Sequence, residues 1–205
     1  MLGHGQQDLT DRIDSLTNDA ATWSTGGDHT SPRWATASPG SMAAIALDMI
    51  SARPAEISET NPARDIARHV GDPFCPLFTA LRKVQFHVGV RSSVRQPLNT
   101  LATKLLYLLL LDIRDGRYIA SDAERDYARS VLELDAAPVI HGPCLITGAT
   151  EDSAPAPLDD NFQSWLSALL EEIAQHRAKR VAALAAAIGI ALEGIGDTVV
   201  LVQLG

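Results

Sequence analysis

Apolar residues recur at helical spacing over much of this chain and at a spacing of two over one short stretch. After Asp159, the residues Phe162, Trp165, Leu166, Leu169, Leu170 and Ile173 fall three or four apart and define one face of an amphipathic helix. Asp159 or Asp160 supplies its cap. The face runs on through Val181, Leu184 and Ile188 to a stop at Gly189. Pro97 to Leu111 is a strongly apolar helix with Asn99 near its start, and Asp115-Gly116 is a turn. Ser121-Asp122-Ala123-Glu124 is a capping box that opens a helix through Tyr127, Val131 and Leu134. Asn61-Pro62 opens a helix to Val70, closed by Gly71, and Ser41 caps one through Ala44, Leu47 and Ile50, ended by Pro54. Val84, Phe86, Val88 and Val90 alternate with Gln85, His87 and Gly89, the pattern of a half-buried strand.

Pro138 to Gly148 holds a strand or two around a Gly142-Pro143 corner, and Ser153 to Pro157 reads as a linker. The chain closes with apolar stretches around Gly194-Ile195-Gly196-Asp197, which predict a C-terminal β-hairpin. Helices dominate and strands are scattered. The expected class is α+β, with a small, mostly antiparallel sheet covered by helices. Residues 1–39 are polar and rich in Ser, Thr, Gly and Asp, and predict a flexible tail; residues 40–205 form one domain. Trp23 and Trp34 stand in that tail, as anchors for a protein partner or as residues that pack on their own domain.

Composition narrows the classes. The chain has 205 residues, 46% of them hydrophobic and 20% charged, enough for a core and too apolar for global disorder. Its net charge of −8 argues against a surface devoted as a whole to nucleic acid. Two cysteines do not make a disulfide scaffold. The first residues carry no basic and apolar leader, and the most apolar run, Leu105 to Leu111, falls well short of the about 20 residues of a membrane span. The expectation is a cytoplasmic protein with no membrane contact.

The charges are segregated. Residues 73–111 contain Arg82, Lys83, Arg91, Arg95 and Lys104 and no Asp or Glu, so this stretch carries +5 while the rest carries −13. Arg82, Lys83, Arg91 and Arg95 bracket the alternating strand. Clustered there, they suit phosphates, singly or along a nucleic-acid backbone; the bland reading is that they pair with the acidic remainder. His69, Cys75, His141 and Cys144 form a two-His, two-Cys set that zinc would suit, though both cysteines sit among apolar residues and read equally as buried thiols. No other cofactor is indicated. The sequence contains no nucleophile-elbow, Walker, dinucleotide or zinc-protease signature, which sets enzyme chemistry below binding as a reading; its form would be a small metal- or thiol-dependent enzyme built on Cys75 and Cys144. The Ala182 to Ala187 run offers a close-packing face for the chain's own sheet or for a second copy.

Asn99-x-x-Ala102-Thr103, followed by Ile140-x-Gly142-Pro143-x-x-Ile146-Thr147-Gly148 and then Leu158-x-Asp160, resembles a pattern found in a group of small actinobacterial, phage and plasmid domains of unknown function. The likeness spans roughly residues 66–170. The chain departs from it by a helix inserted between Leu111 and Pro138 and by its N- and C-terminal additions. The resemblance implies an accessory protein of a mobile element and carries over no site residue. Physically, an Asn at a helix start caps it, and Gly142-Pro143 fixes a corner; the other reading is a pair of loops lining a small ligand site.

Overall fold

The computed structural model describes residues 22–23, 37–49, 51–77, 80–90, 96–134 and 136–187. Strands β1 (Thr22–Trp23), β2 (Ser41–Leu47), β3 (Ser51–Ser58), β4 (Phe74–Pro76), β5 (Val84–Gly89), β6 (Cys144–Ala149) and β7 (Pro155–Ala156) build one sheet. Helices α1 (Pro62–Val70), α2 (Thr100–Arg114), α3 (Asp122–Glu133) and α4 (Asp160–Ala187) cover it. The order across the sheet is β1-β3-β2-β6-β5-β4, and every pairing but the short parallel β1–β3 contact is antiparallel. Gly148 pairs with Val84 on one side and Ala156 on the other, so β7 extends the sheet past the end of β2. The α+β class with a small antiparallel sheet is therefore the fold of the chain. The expected C-terminal hairpin and Trp34 lie outside the described residues.

Register assigns the two faces. Ile45, Ile146 and Phe86 stand in one row across β2, β6 and β5, and Leu47, Cys144 and Val88 in the next. These side chains join Leu105, Leu109, Ile113, Phe162 and Leu166 in the main core, under α2, α3 and α4. The opposite face carries Met42, Ala44, Ala46, Ile57 and Leu145 and is covered by Ile66 and Val70 of α1. Burying apolar area on both faces is the dominant favourable term for such a layered domain.

Several elements form for the reasons their sequences give. Asn61 Oδ1 accepts from Arg64 N at the start of α1, with Pro62 in the first turn. At α3 the Ser121 side chain accepts from Glu124 N, while Glu124 accepts from Ser121 N at 2.8 Å, a complete capping box.

The segment after Ser41 departs from expectation. It forms β2, not a helix, and turns through Asp48 into β3. Ser51 N and Oγ donate to the Asp48 carboxylate at 2.6 and 2.7 Å and fix that turn. Met42 to Leu47 is buried on both faces, so no alternation marks it, and a short continuous apolar run reads equally as buried helix or buried strand. Pro54 does not end an element; it sits within β3, whose outer edge has no described partner beyond Ala52, a position that tolerates a residue without an N–H. Thr22–Trp23, expected in a tail, adds two residues of strand to this edge.

Candidate functional site

The two halves of the sequence pattern meet. Asn99 is fully buried ahead of α2, and its side chain spends every hydrogen-bonding group it has. Its Oδ1 accepts from Ala102 N at 2.9 Å, which caps the helix, and its Nδ2 donates to Gly142 O at 2.8 Å and to Leu47 O at 3.2 Å. Its backbone N–H donates to Ile140 O, and Gly142 N donates to Pro97 O. One turn into the helix, Thr103 Oγ1 accepts from Ile140 N at 3.0 Å. His141 Nδ1 donates to Gln96 O at 3.1 Å, which places its proton on Nδ1. Gly142 has a φ of 72°, and an added Cβ there would overlap the Gln96 side chain. The pattern thus joins the end of β2, the start of α2 and the corner before β6.

A surface patch surrounds this joint. Leu98 faces His141 in an isolated antiparallel bridge, and Val139 lies two residues before His141. Tyr107 stands one turn beyond Thr103 on α2. Leu98, Tyr107 and Val139 are 46%, 43% and 56% exposed, large apolar side chains left in water beside a fully satisfied buried network. Sequence reading missed Tyr107 because it lies within the apolar run Leu105 to Leu111, whose other members mostly pack inward.

The other candidate residues separate. Leu47, Cys144, Val88 and Cys75 occupy one row of four strands, so the two cysteines point to the same face about 10 Å apart, two strand spacings, beyond disulfide reach. Both are free thiols. Cys144 is buried in the core, and that burial pushes its thiol well above the usual range. His69 is on α1, across the sheet from that row, where burial and the nearby Arg53 guanidinium lower its pKa. His69, Cys75, His141 and Cys144 therefore do not converge, and no group of three or more His, Cys, Asp or Glu among the described residues is placed to hold a metal.

Of the basic set, Arg82 and Lys83 are described and lie just before β5, while Arg91 and Arg95 fall outside the described residues. Lys83 Nζ contacts Asp159 at 3.3 Å, and the backbone N–H of Arg82 donates to Glu124 Oε1 at 3.0 Å. Lys83 therefore pairs with the acidic remainder, while Arg82 meets it through its backbone alone. Trp23 contributes backbone pairing to β3, Trp23 to Ala52.

His87 is a buried titratable group that the sequence did not single out as such. Thr147 Oγ1 donates to Gly148 O at 2.7 Å, so at 2.9 Å it accepts from His87 Nε2, which carries the proton. Nδ1 is then a bare acceptor without a partner among the described residues, as is Gln85 Oε1 two residues earlier on the same face. Burial alone lowers the His87 pKa to about 4 and keeps the ring neutral. The polar half of the alternating strand thus lies under α1, not in solvent.

No helix among the described residues is long and apolar enough to cross a membrane. No known protein family, curated protein or solved structure matches the chain.

Proposed function

We propose that this chain is a non-enzymatic accessory protein of mobile-element origin that acts in the cytoplasm by binding another protein. The observation that carries the reading is the patch of Leu98, Tyr107 and Val139 around the Asn99–Ile140 joint, where a rigid frame holds apolar side chains in water. Leu98 and Tyr107 belong to the stretch 73–111, which has five basic residues and no acidic one. The partner that complements it is a protein segment with large apolar residues flanked by Asp or Glu. Trp23 and Trp34 are proposed as a second contact for the same partner.

Nucleic acid is the weaker alternative, since Lys83 already contacts Asp159. Thiol chemistry is weaker still, with Cys144 sealed in the core.

The test is a random-peptide library panned on the full chain and, in parallel, on the double variant Leu98→Asp, Val139→Asp, which alters only exposed positions. Peptides that are apolar with acidic flanks and enriched on the unaltered chain alone support the proposal. Equal recovery on both chains, or none, overturns it. Sedimentation that shows a dimer lost in the double variant would reassign the patch to self-association.

A further inference from the structure

A cavity of about 360 Å³ opens between the start of β5, the second half of α2, the α2–α3 connection and the first turn of α4. Its floor is Leu81, Val84, Leu109 and Ile113, all buried. An engineered cavity of about 150 Å³ holds one benzene, so this one is roughly the size for a fused pair of rings. An apolar hollow of this size with a few polar groups at the rim has the make-up of a small-molecule site.

The rim has unspent donors and spent acceptors. Glu124 Oε1 accepts from Arg82 N, and its Oε2 accepts from Ser121 N and Oγ at 2.8 and 2.6 Å. Burial pulls the Glu124 pKa up, but these bonds and the Arg82 charge outweigh it and hold the carboxyl below the usual range. Behind the rim, Asp159 takes Lys83 Nζ on one oxygen and Asn161 N on the other. The Asn161 amide donates to Ile119 O and also meets the Tyr118 hydroxyl. The Arg82 guanidinium, by contrast, makes no hydrogen bond or ion pair among the described residues; only its charge is felt at Glu124. Ile119, on the same rim, is 81% exposed. One donor-rich cation and one bare isoleucine therefore border an apolar hollow whose acids are already satisfied.

We infer that this cavity binds a small aromatic or other apolar acid, its ring body on Leu109 and Ile113 and its anionic group on Arg82. A guanidinium suits a carboxylate, which it engages through two parallel hydrogen bonds. Closure of Ile119 over the ring removes that side chain from water.

The experiment uses the full chain with naphthoate as probe and naphthalene as its uncharged counterpart, followed by the methyl resonances of Leu109 and Ile113. Both probes shift those methyls. Arg82→Gln, an exposed change that keeps the backbone bond to Glu124, weakens naphthoate about tenfold, the scale of one charge-assisted hydrogen bond, and leaves naphthalene unchanged. Saturating probe that leaves both methyls unmoved overturns the site. Equal naphthoate affinity in Arg82→Gln overturns the assignment of an acidic ligand.

Discussion

The side-chain amide of Asn99 donates to the carbonyl of Gly142, 43 residues further along the chain, while the same side chain caps α2 through Ala102. A single residue thus satisfies a helix end and two buried carbonyls. Asn99→Ala removes a cap worth about 1 kcal/mol and leaves the carbonyls of Leu47 and Gly142 without their donor, about 1 kcal/mol or more each. The expected loss is about 3 kcal/mol in denaturant unfolding. Asn99→Asp keeps the capping acceptor and is destabilised as much, because its charge faces two carbonyl oxygens. At the exposed cap of α1, Asn61→Asp changes stability by only about 0.5 kcal/mol. An Asn99→Asp protein as stable as the unaltered chain would remove the donor role.

Gly148 is required by close approach. A Cβ there would run into the backbone carbonyl of Pro157, which cannot turn aside as a side chain can. Gly148→Ala is expected to lower stability by about 3 kcal/mol, the upper range for overpacking. Gly116→Ala meets nothing within 4 Å and loses only the about 1 kcal/mol of its left-handed backbone, φ 75°. Melting of the two variants side by side measures the contrast.

His87 makes the fold acid-sensitive with a defined sign. Its folded pKa of about 4 lies below the usual 6.5, so between those values the unfolded chain binds more protons than the folded one. The contribution is complete above pH of about 6.5 and is lost as pH falls toward 4, by about 3 kcal/mol in total. His69, also lowered, adds a loss of the same sign. In His87→Phe, the slope of unfolding free energy against pH across this window becomes shallower than in the unaltered chain. Parallel slopes in the two proteins would remove His87 from the account.

The two thiols differ in access. Cys75 is half-buried on the edge strand β4, and Cys144 is buried in the core with its thiol pushed up. Mass spectrometry after brief alkylation of the native protein should show one adduct, at Cys75, and a second only after denaturation. Rapid native alkylation of Cys144 would reopen thiol chemistry.

Local signals in the sequence were reliable where local chemistry decides. The capping box at Ser121 and Glu124 and the Asn61-Pro62 start rest on contacts within one element, and the Phe162 to Ile173 face shows in the helical spacing of residues that pack into the core. The segment 41–47 failed because its side chains are buried by β6 on one edge and by helices on both faces, all of them far away in sequence, while its one sequence neighbour, β3, pairs along the other edge. His87 and Gln85 fitted the polar half of an alternating strand, and only α1 on the second face makes them buried. The basic residues Arg82 and Lys83 were visible. The acids that meet them, Glu124 and Asp159, come from elements 42 and 76 residues away.

The position of β6 bears on how the chain is born. The β2–β3 and β4–β5 hairpins do not pair with each other; each is joined to the sheet through β6, the last long strand among the described residues. On the ribosome, a nascent chain that has not yet released residues 140–149 lacks both the strand that joins the two hairpins and the Gly142 acceptor of Asn99. The sheet closes by insertion of a strand into its middle, and translation order delays that closure until β6 has followed both hairpins out of the ribosome.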